Sequence, residues 1–160
     1  MVVYVREIKE NERREARALL ALALKKEYSL DISELCEEKN EYGKPYFKNH
    51  PICFSISHTD GAVAVAVSEN NVGVDIERIT DISDRVMSRF VKEGMGAECE
   101  EKTALWTRYE SSAKLIGRGI PIRDEDIERV KELYFFSFRH KEYIITASAK
   151  SNEVARLVII

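Results

Sequence analysis

Cysteine is scarce in this chain, and its three cysteines, Cys36, Cys53 and Cys99, are widely spaced with no CxxC pair. That pattern argues against a disulfide framework or a zinc site and fits a reducing cytoplasm. Long hydrophobic runs are missing too. The longest purely apolar stretch, Ala18 to Leu24, is far shorter than the roughly 20 residues that span a bilayer. Met1 to Glu10 carries charge where a signal peptide needs an apolar core. A cytoplasmic protein without membrane contact is expected. Nor is there an excess of one charge sign, since 25 Lys and Arg face 28 Asp and Glu for a net −3. Such a balance leaves no electrostatic footprint for nucleic acid, so a polyanionic ligand would need a local basic pocket.

What is present is an ordinary globular composition, 44% hydrophobic and 33% charged, in 160 residues, enough for one domain or two small halves sharing a core. Val2 to Ile8 alternates like a strand. Asn11 suits the N-cap of a helix to about Tyr28, with Ala16, Leu19, Leu20, Leu24 and Tyr28 on one face. Asp31 to Lys39 reads as a short second helix. Strands are expected over Cys53 to Ser57 and Ala62 to Ser68, around the turn-rich His58-Thr59-Asp60-Gly61. A strand over Val72 to Ile79 follows, then a helix with Ile82, Val86 and Phe90 in line. A longer helix from Ala97 to Ile116 should close on Gly117, before three strands over Leu133 to Arg139, Tyr143 to Ser148 and Val154 to Ile160.

The two halves of the chain echo one another. Val3-Tyr4-Val5-Arg6-Glu7-Ile8 is similar to Val74-Asp75-Ile76-Glu77-Arg78-Ile79, and Phe54-Ser55-Ile56-Ser57-His58 to Phe136-Ser137-Phe138-Arg139-His140. The expectation is an α+β fold of two similar halves, 1–70 and 71–160, each running strand, helix, hairpin. Halves this small bury too little alone, so they should pack as an intramolecular pseudo-dimer with a ligand cleft between them.

Several residues could carry chemistry. Asp75 and Glu77, two apart on a strand, leave the same face; they make either a solvated acidic edge or a site whose charge a cation offsets. Mg²⁺ is the natural cation for hard oxygen ligands of this kind. Trp106, Glu110 and Lys114 recur along one helix face, where Glu110 could add a third carboxylate and Lys114 meet a phosphate. Glu110 and Lys114 equally suit an ordinary surface pair. Lys44 follows Gly43 in a loop and His58 ends a strand; both are open to phosphate binding or to a plain surface role. Arg13, Arg14 and Arg17 could supply a basic flank.

Four segments occur in order: Glu41-Tyr42-Gly43-Lys44-Pro45, Phe54-Ser55-Ile56-Ser57-His58-Thr59, Val72-Gly73-Val74-Asp75-Ile76-Glu77, and Trp106-Thr107-Arg108-Tyr109-Glu110-Ser111-Ser112-Ala113-Lys114. Together they resemble the signatures of 4'-phosphopantetheinyl transferases of the surfactin-synthetase-activating type. The resemblance covers roughly Arg17 to Ile122 and implies a Mg²⁺-dependent enzyme moving the phosphopantetheine arm of coenzyme A onto a carrier-protein serine. It implies that Asp75, Glu77 and Glu110 bind the metal, and that Lys44, Ser57, His58 and, less directly, Arg17 contact coenzyme A. Lys114 would meet the diphosphate, with Glu110 and Asp75 beside it in catalysis. Internal duplication implies a monomer. One departure stands out: Tyr109 replaces the lysine usual in the family's Trp-x-x-Lys-Glu, and a phenol with an ordinary pKa of about 10 carries no charge at neutral pH. An acidic residue usual after Phe90 has Glu93 as its nearest match. Rival expectations are a coenzyme A-binding relative without transfer, and a non-enzymatic interaction module on the same scaffold.

Overall fold

The structure is a computed structural model that describes residues 1–152 and 154–160. Strand β1 (Val2–Glu7) leads into helix α1 (Glu12–Tyr28), whose start is set by Asn11, its side chain accepting from Arg14 N at 3.3 Å. Glu12 and Glu15 in the first turn and Lys25 and Lys26 in the last match the helix dipole. Beyond it, the expected second helix is replaced by a 3₁₀ turn, Ile32–Glu34, and the short strand β2 (Glu37–Lys39), paired with β3 (Pro45–Phe47). Ile32 and Leu35 still pack against the core from this turn, while β2 is exposed throughout and is held by its pairing with β3.

Strands β4 (Cys53–Thr59) and β5 (Ala62–Ser68) form a hairpin on the two-residue turn Asp60-Gly61. The strand therefore runs on through His58 and Thr59, which the turn-rich reading placed outside it. β5 explains how the molecule is layered. Its residues alternate valine and alanine, and both faces are buried. Val63, Val65 and Val67 face the core under α1, with Leu19, Leu20 and Leu24. Ala62, Ala64 and Ala66 face the other way and let the second sheet approach closely.

That second sheet begins with β6 (Val72–Arg78). A short helix α2 (Asp84–Val86) continues as a π turn, Met87–Val91, and α3 (Cys99–Ile116) ends on Gly117 as its composition indicates. A 3₁₀ turn with α4 (Ile127–Lys131), unexpected from the sequence, precedes the hairpin β7 (Tyr134–His140) and β8 (Tyr143–Ala149). Strand β9 (Arg156–Ile159) returns to the first sheet, parallel to β1. The orders are β4-β5-β1-β9 and β6-β8-β7.

The fold is α+β, and β1, β5 and β4 pair in the same order in one sheet as β6, β8 and β7 do in the other. Val3 pairs with Ala66 in the first, Val74 with Ala147 in the second. The hairpin echo is slipped by one residue. Ser55 is the partner of Ala66 and Phe136 the partner of Ala147, so Phe136 corresponds to Ser55 and not to Phe54. Because side chains alternate across a strand, the phenylalanine match aligned opposite faces.

The sheets pack through Val3, Val5 and the alanines of β5 against Val74, Ile76 and Ile145. Helix α3 covers the far face of the second sheet, where Thr107 and Thr146 hydroxyls meet at 2.8 Å and Ser148 Oγ donates to Ser111 O at 2.9 Å. Among the described residues, no helix is long and apolar enough to cross a membrane.

Candidate active site

Edge strands of the two sheets, β4 and β6, run side by side, joined by a Val74 N donation to Ser55 Oγ at 3.0 Å. Alternating hydroxyls along β4 then meet alternating carboxylates along β6. Ser57 Oγ donates to Asp75 Oδ1 at 2.7 Å, and Thr59 Oγ1 to Glu77 Oε2 at 3.0 Å. Thr59 was missed from the sequence, although Ser55, Ser57 and Thr59 at every second position formed a readable row.

Helix α3 completes the cluster. Lys114 Nζ donates to Ser57 Oγ at 2.7 Å and to Asp75 Oδ1 at 2.6 Å, and Glu110 Oε2 lies 4.0 Å from the same ammonium. Asp75, Glu77, Glu110, Lys114 and Ser57 are thus brought together from β4, β6 and α3. Asp75 is 1% exposed. Its second oxygen, Oδ2, is buried with no hydrogen-bond partner among the described residues. A buried, orphaned carboxylate oxygen is costly and suits a ligand that would claim it.

Crowding of like charges shapes the acid–base behaviour. Burial, then the neighbouring Asp75 and Glu77 carboxylates, push Glu110 up to about 7, against the opposing pull of Lys114. Glu77 is raised as well, by burial first and Asp75 second. For Glu110 the folded value lies above the unfolded one, so its stabilising contribution is complete below about pH 4.5 and fades as pH rises through about 7. Glu110→Gln should therefore match the parent protein at pH 4 and exceed it at pH 8 by about 1 kcal/mol, a value discounted for the carboxylate's partial solvation. Urea unfolding at both pH values, without divalent cations, measures this; equal midpoints at pH 8 would contradict it.

Beside the cluster lies a cavity of about 290 Å³ bounded by Tyr42, Lys44, Phe54, Ile56, Glu110 and Lys114. Lys44 borders it, yet its ammonium is committed to oxygens, bonding Asn71 Oδ1 at 2.6 Å, Leu115 O at 2.9 Å and Val72 O at 3.3 Å. Burial brings its pKa down to about 8. His58 and Arg17 lie outside the cluster. His58 turns toward α1, with Nδ1 3.0 Å from Glu12, and Arg17 pairs with Glu37 of β2. Tyr109, next to Glu110, faces another way. Its ring stacks on Trp106 at 5.8 Å, and its hydroxyl accepts from Ile122 N at 2.8 Å. Trp106 is an aromatic packing residue against Phe90.

The donor set fits a hard divalent cation, with oxygens only and one left unpaired. As placed, no three His, Cys, Asp or Glu side chains among the described residues converge closely enough to hold a metal. Lys114 lies between Asp75 and Glu110, so its ammonium offsets their charge in this arrangement.

Comparison with known proteins agrees in kind. No protein-family model matches the chain. It is 36% identical over 129 residues to the 4'-phosphopantetheinyl transferase gsp of Aneurinibacillus migulanus, covering 71% of this chain and 54% of that protein. Identity to the 4'-phosphopantetheinyl transferase Sfp of Bacillus subtilis is 30% over 114 residues, 65% of this chain and 51% of the relative. The corresponding figures for psf-1 of Bacillus pumilus are 31% over 103 residues, 58% and 44%. The chain spans about half the length of the curated relatives it matches.

Proposed function

The chain belongs to the 4'-phosphopantetheinyl transferase superfamily, and from that premise we propose that it transfers the phosphopantetheine arm of coenzyme A to a serine of an apo acyl or peptidyl carrier protein. The observation that supports this best is the meeting of Ser57, Asp75 and Glu110 around one ammonium, Lys114, at a cavity between two halves of one chain.

In this reading the carrier serine oxygen bonds to the β-phosphorus of coenzyme A. The bridging P–O bond breaks, and 3',5'-ADP leaves with the electron pair. Lys114 neutralises charge building on the diphosphate. The ionised form of Glu110 takes the serine proton, directly or through a water. Ser57 holds Asp75 and Lys114 in place. Asp75, Glu77 and Glu110 would hold Mg²⁺ once drawn closer together than they stand here, and the bound ion would supply positive charge that screens the diphosphate from its nucleophile. Lys44, His58 and Arg17 are assigned to the nucleotide end of coenzyme A. For Lys44 that role requires exchanging its present carbonyl partners for phosphate oxygens.

A cytoplasmic location and a monomeric state belong to the same proposal, supported by three unpaired cysteines and by a cavity built within one chain. Incubation with coenzyme A, Mg²⁺ and several apo carriers should add a phosphopantetheine mass to a carrier. Carriers that all remain at apo mass would reject the reading.

A second reading, coenzyme A binding without transfer, is favoured by Tyr109. Its ring and hydroxyl are spent on packing and on Ile122, so it adds no charge where the family carries a lysine. Calorimetric binding of coenzyme A with no carrier modification would select it.

A further inference from the structure

One face of the chain entering and forming β6 meets α3 through alternate residues: Asn71, Gly73 and Asp75. Gly73 lets the helix backbone come close, and Asp75 holds Lys114 Nζ at 2.6 Å. Asn71 donates from Nδ2 to Leu115 O at 2.8 Å, immediately after Lys114 in sequence. That carbonyl belongs to the last turn of α3, where acceptors have no partner within the helix. The same amide uses its other end, Oδ1, to accept from Lys44 Nζ at 2.6 Å.

Taking the transferase reading as its basis, we infer that Asn71 is a positioning residue for the reaction, its amide locking the last turn of α3 to the strand that carries Asp75 and Glu77. Lys44 stabilises this helix end through its charge, since a cation complements the C-terminal dipole. Charge alone sets no direction, because an ammonium on a flexible stem bonds from many angles. A planar amide at the start of a strand does. Sliding α3 by one residue moves it about 1.5 Å along its axis. A shift of that size carries the base of Lys114 and the whole of Glu110 away from β4 and β6, so the bonds of Lys114 to Ser57 and Asp75, now 2.7 and 2.6 Å, have to be remade in a different geometry. Asn71 thus acts through α3 on Lys114 and Glu110.

Asn71→Asp keeps the shape and the acceptor toward Lys44 but removes the donor to Leu115 O. Asn71→Ala removes both ends and introduces no charge, so it serves if the aspartate variant folds poorly. Both are compared with the parent protein using coenzyme A, Mg²⁺ and an apo peptide-synthetase carrier domain. The expected result is a fall in kcat of about tenfold or more, with KM for coenzyme A within about twofold. The unfolding midpoint of Asn71→Ala should stay near that of the parent. In ¹⁵N-lysine NMR, the Lys114 ammonium signal, held in slow exchange by Ser57 and Asp75, should move or disappear. A folded variant whose Lys114 signal and kcat both match the parent overturns the inference, as does a kcat loss that merely tracks the folded fraction. If the parent protein modifies no carrier, the transferase reading fails and the NMR comparison alone decides for Asn71: an unmoved Lys114 signal sinks it.

Discussion

Asp75→Ala should lower kcat/KM for carrier modification by about 100-fold or more while the protein stays folded. Asp75 is the carboxylate on which the cluster converges, accepting from Ser57 and Lys114 through one oxygen and holding the other unpaired. Its loss removes the closest negative partner of Lys114 and the buried donor best suited to a cation. Stability suffers little, because Lys114 is 30% exposed and can turn its ammonium to water. Removing an orphaned buried oxygen even relieves a cost. Asp75→Asn separates charge from shape, and the same loss is expected there. Carrier mass spectrometry with a urea midpoint for each variant measures both effects. Full transfer by either variant at limiting Mg²⁺ would remove Asp75 from the chemistry.

The largest structural effect is expected at Gly73. A Cβ added there would sit 2.0 Å from Ser111 O and 2.8 Å from Leu115 N, both main-chain atoms of α3. No rotamer change relieves a clash with backbone, so the helix has to lift from β6. Gly73→Ala should cost about 3 kcal/mol, the upper end for overpacking. Thermal unfolding should show a fall of about 10 °C, given the sensitivity of a domain this size. Transfer should drop further than the folded fraction does, because the displaced helix carries Glu110 and Lys114. A variant as stable as the parent would show that β6 and α3 are not in such close contact.

Much of the fold was legible because local rules and burial agreed. Asn11 sets the start of α1 and Gly117 the end of α3 by backbone geometry that needs no distant partner. Ala62 to Ser68 read as a strand, and the structure buries both of its faces. The expected helix over Asp31 to Lys39 failed because Ile32 and Leu35 reach the core from a 3₁₀ turn, and pairing of Glu37–Lys39 with β3 decided the backbone beyond it. The slipped hairpin echo shows the same limit. Composition matched Phe54 to Phe136, while hydrogen-bond register, which sequence similarity does not encode, matched Ser55 to it.

At the site, spacing put Asp75 and Glu77 on one strand face and Glu110 and Lys114 on one helix face, since both follow from the periods of strand and helix. Those periods hold for each element alone, so the sequence by itself determined which side chains travel together. It did not determine which groups would meet across elements. The approach of β4 to β6, the burial that leaves Asp75 Oδ2 unpaired, the commitment of Lys44 to Asn71, Val72 and Leu115 oxygens and the reach of Asn71 to Leu115 were decided only by tertiary packing. The physical reason is distance along the chain: Ser57, Asp75 and Lys114 become neighbours through the stacking of two sheets and one helix, and no local pattern sets that relation.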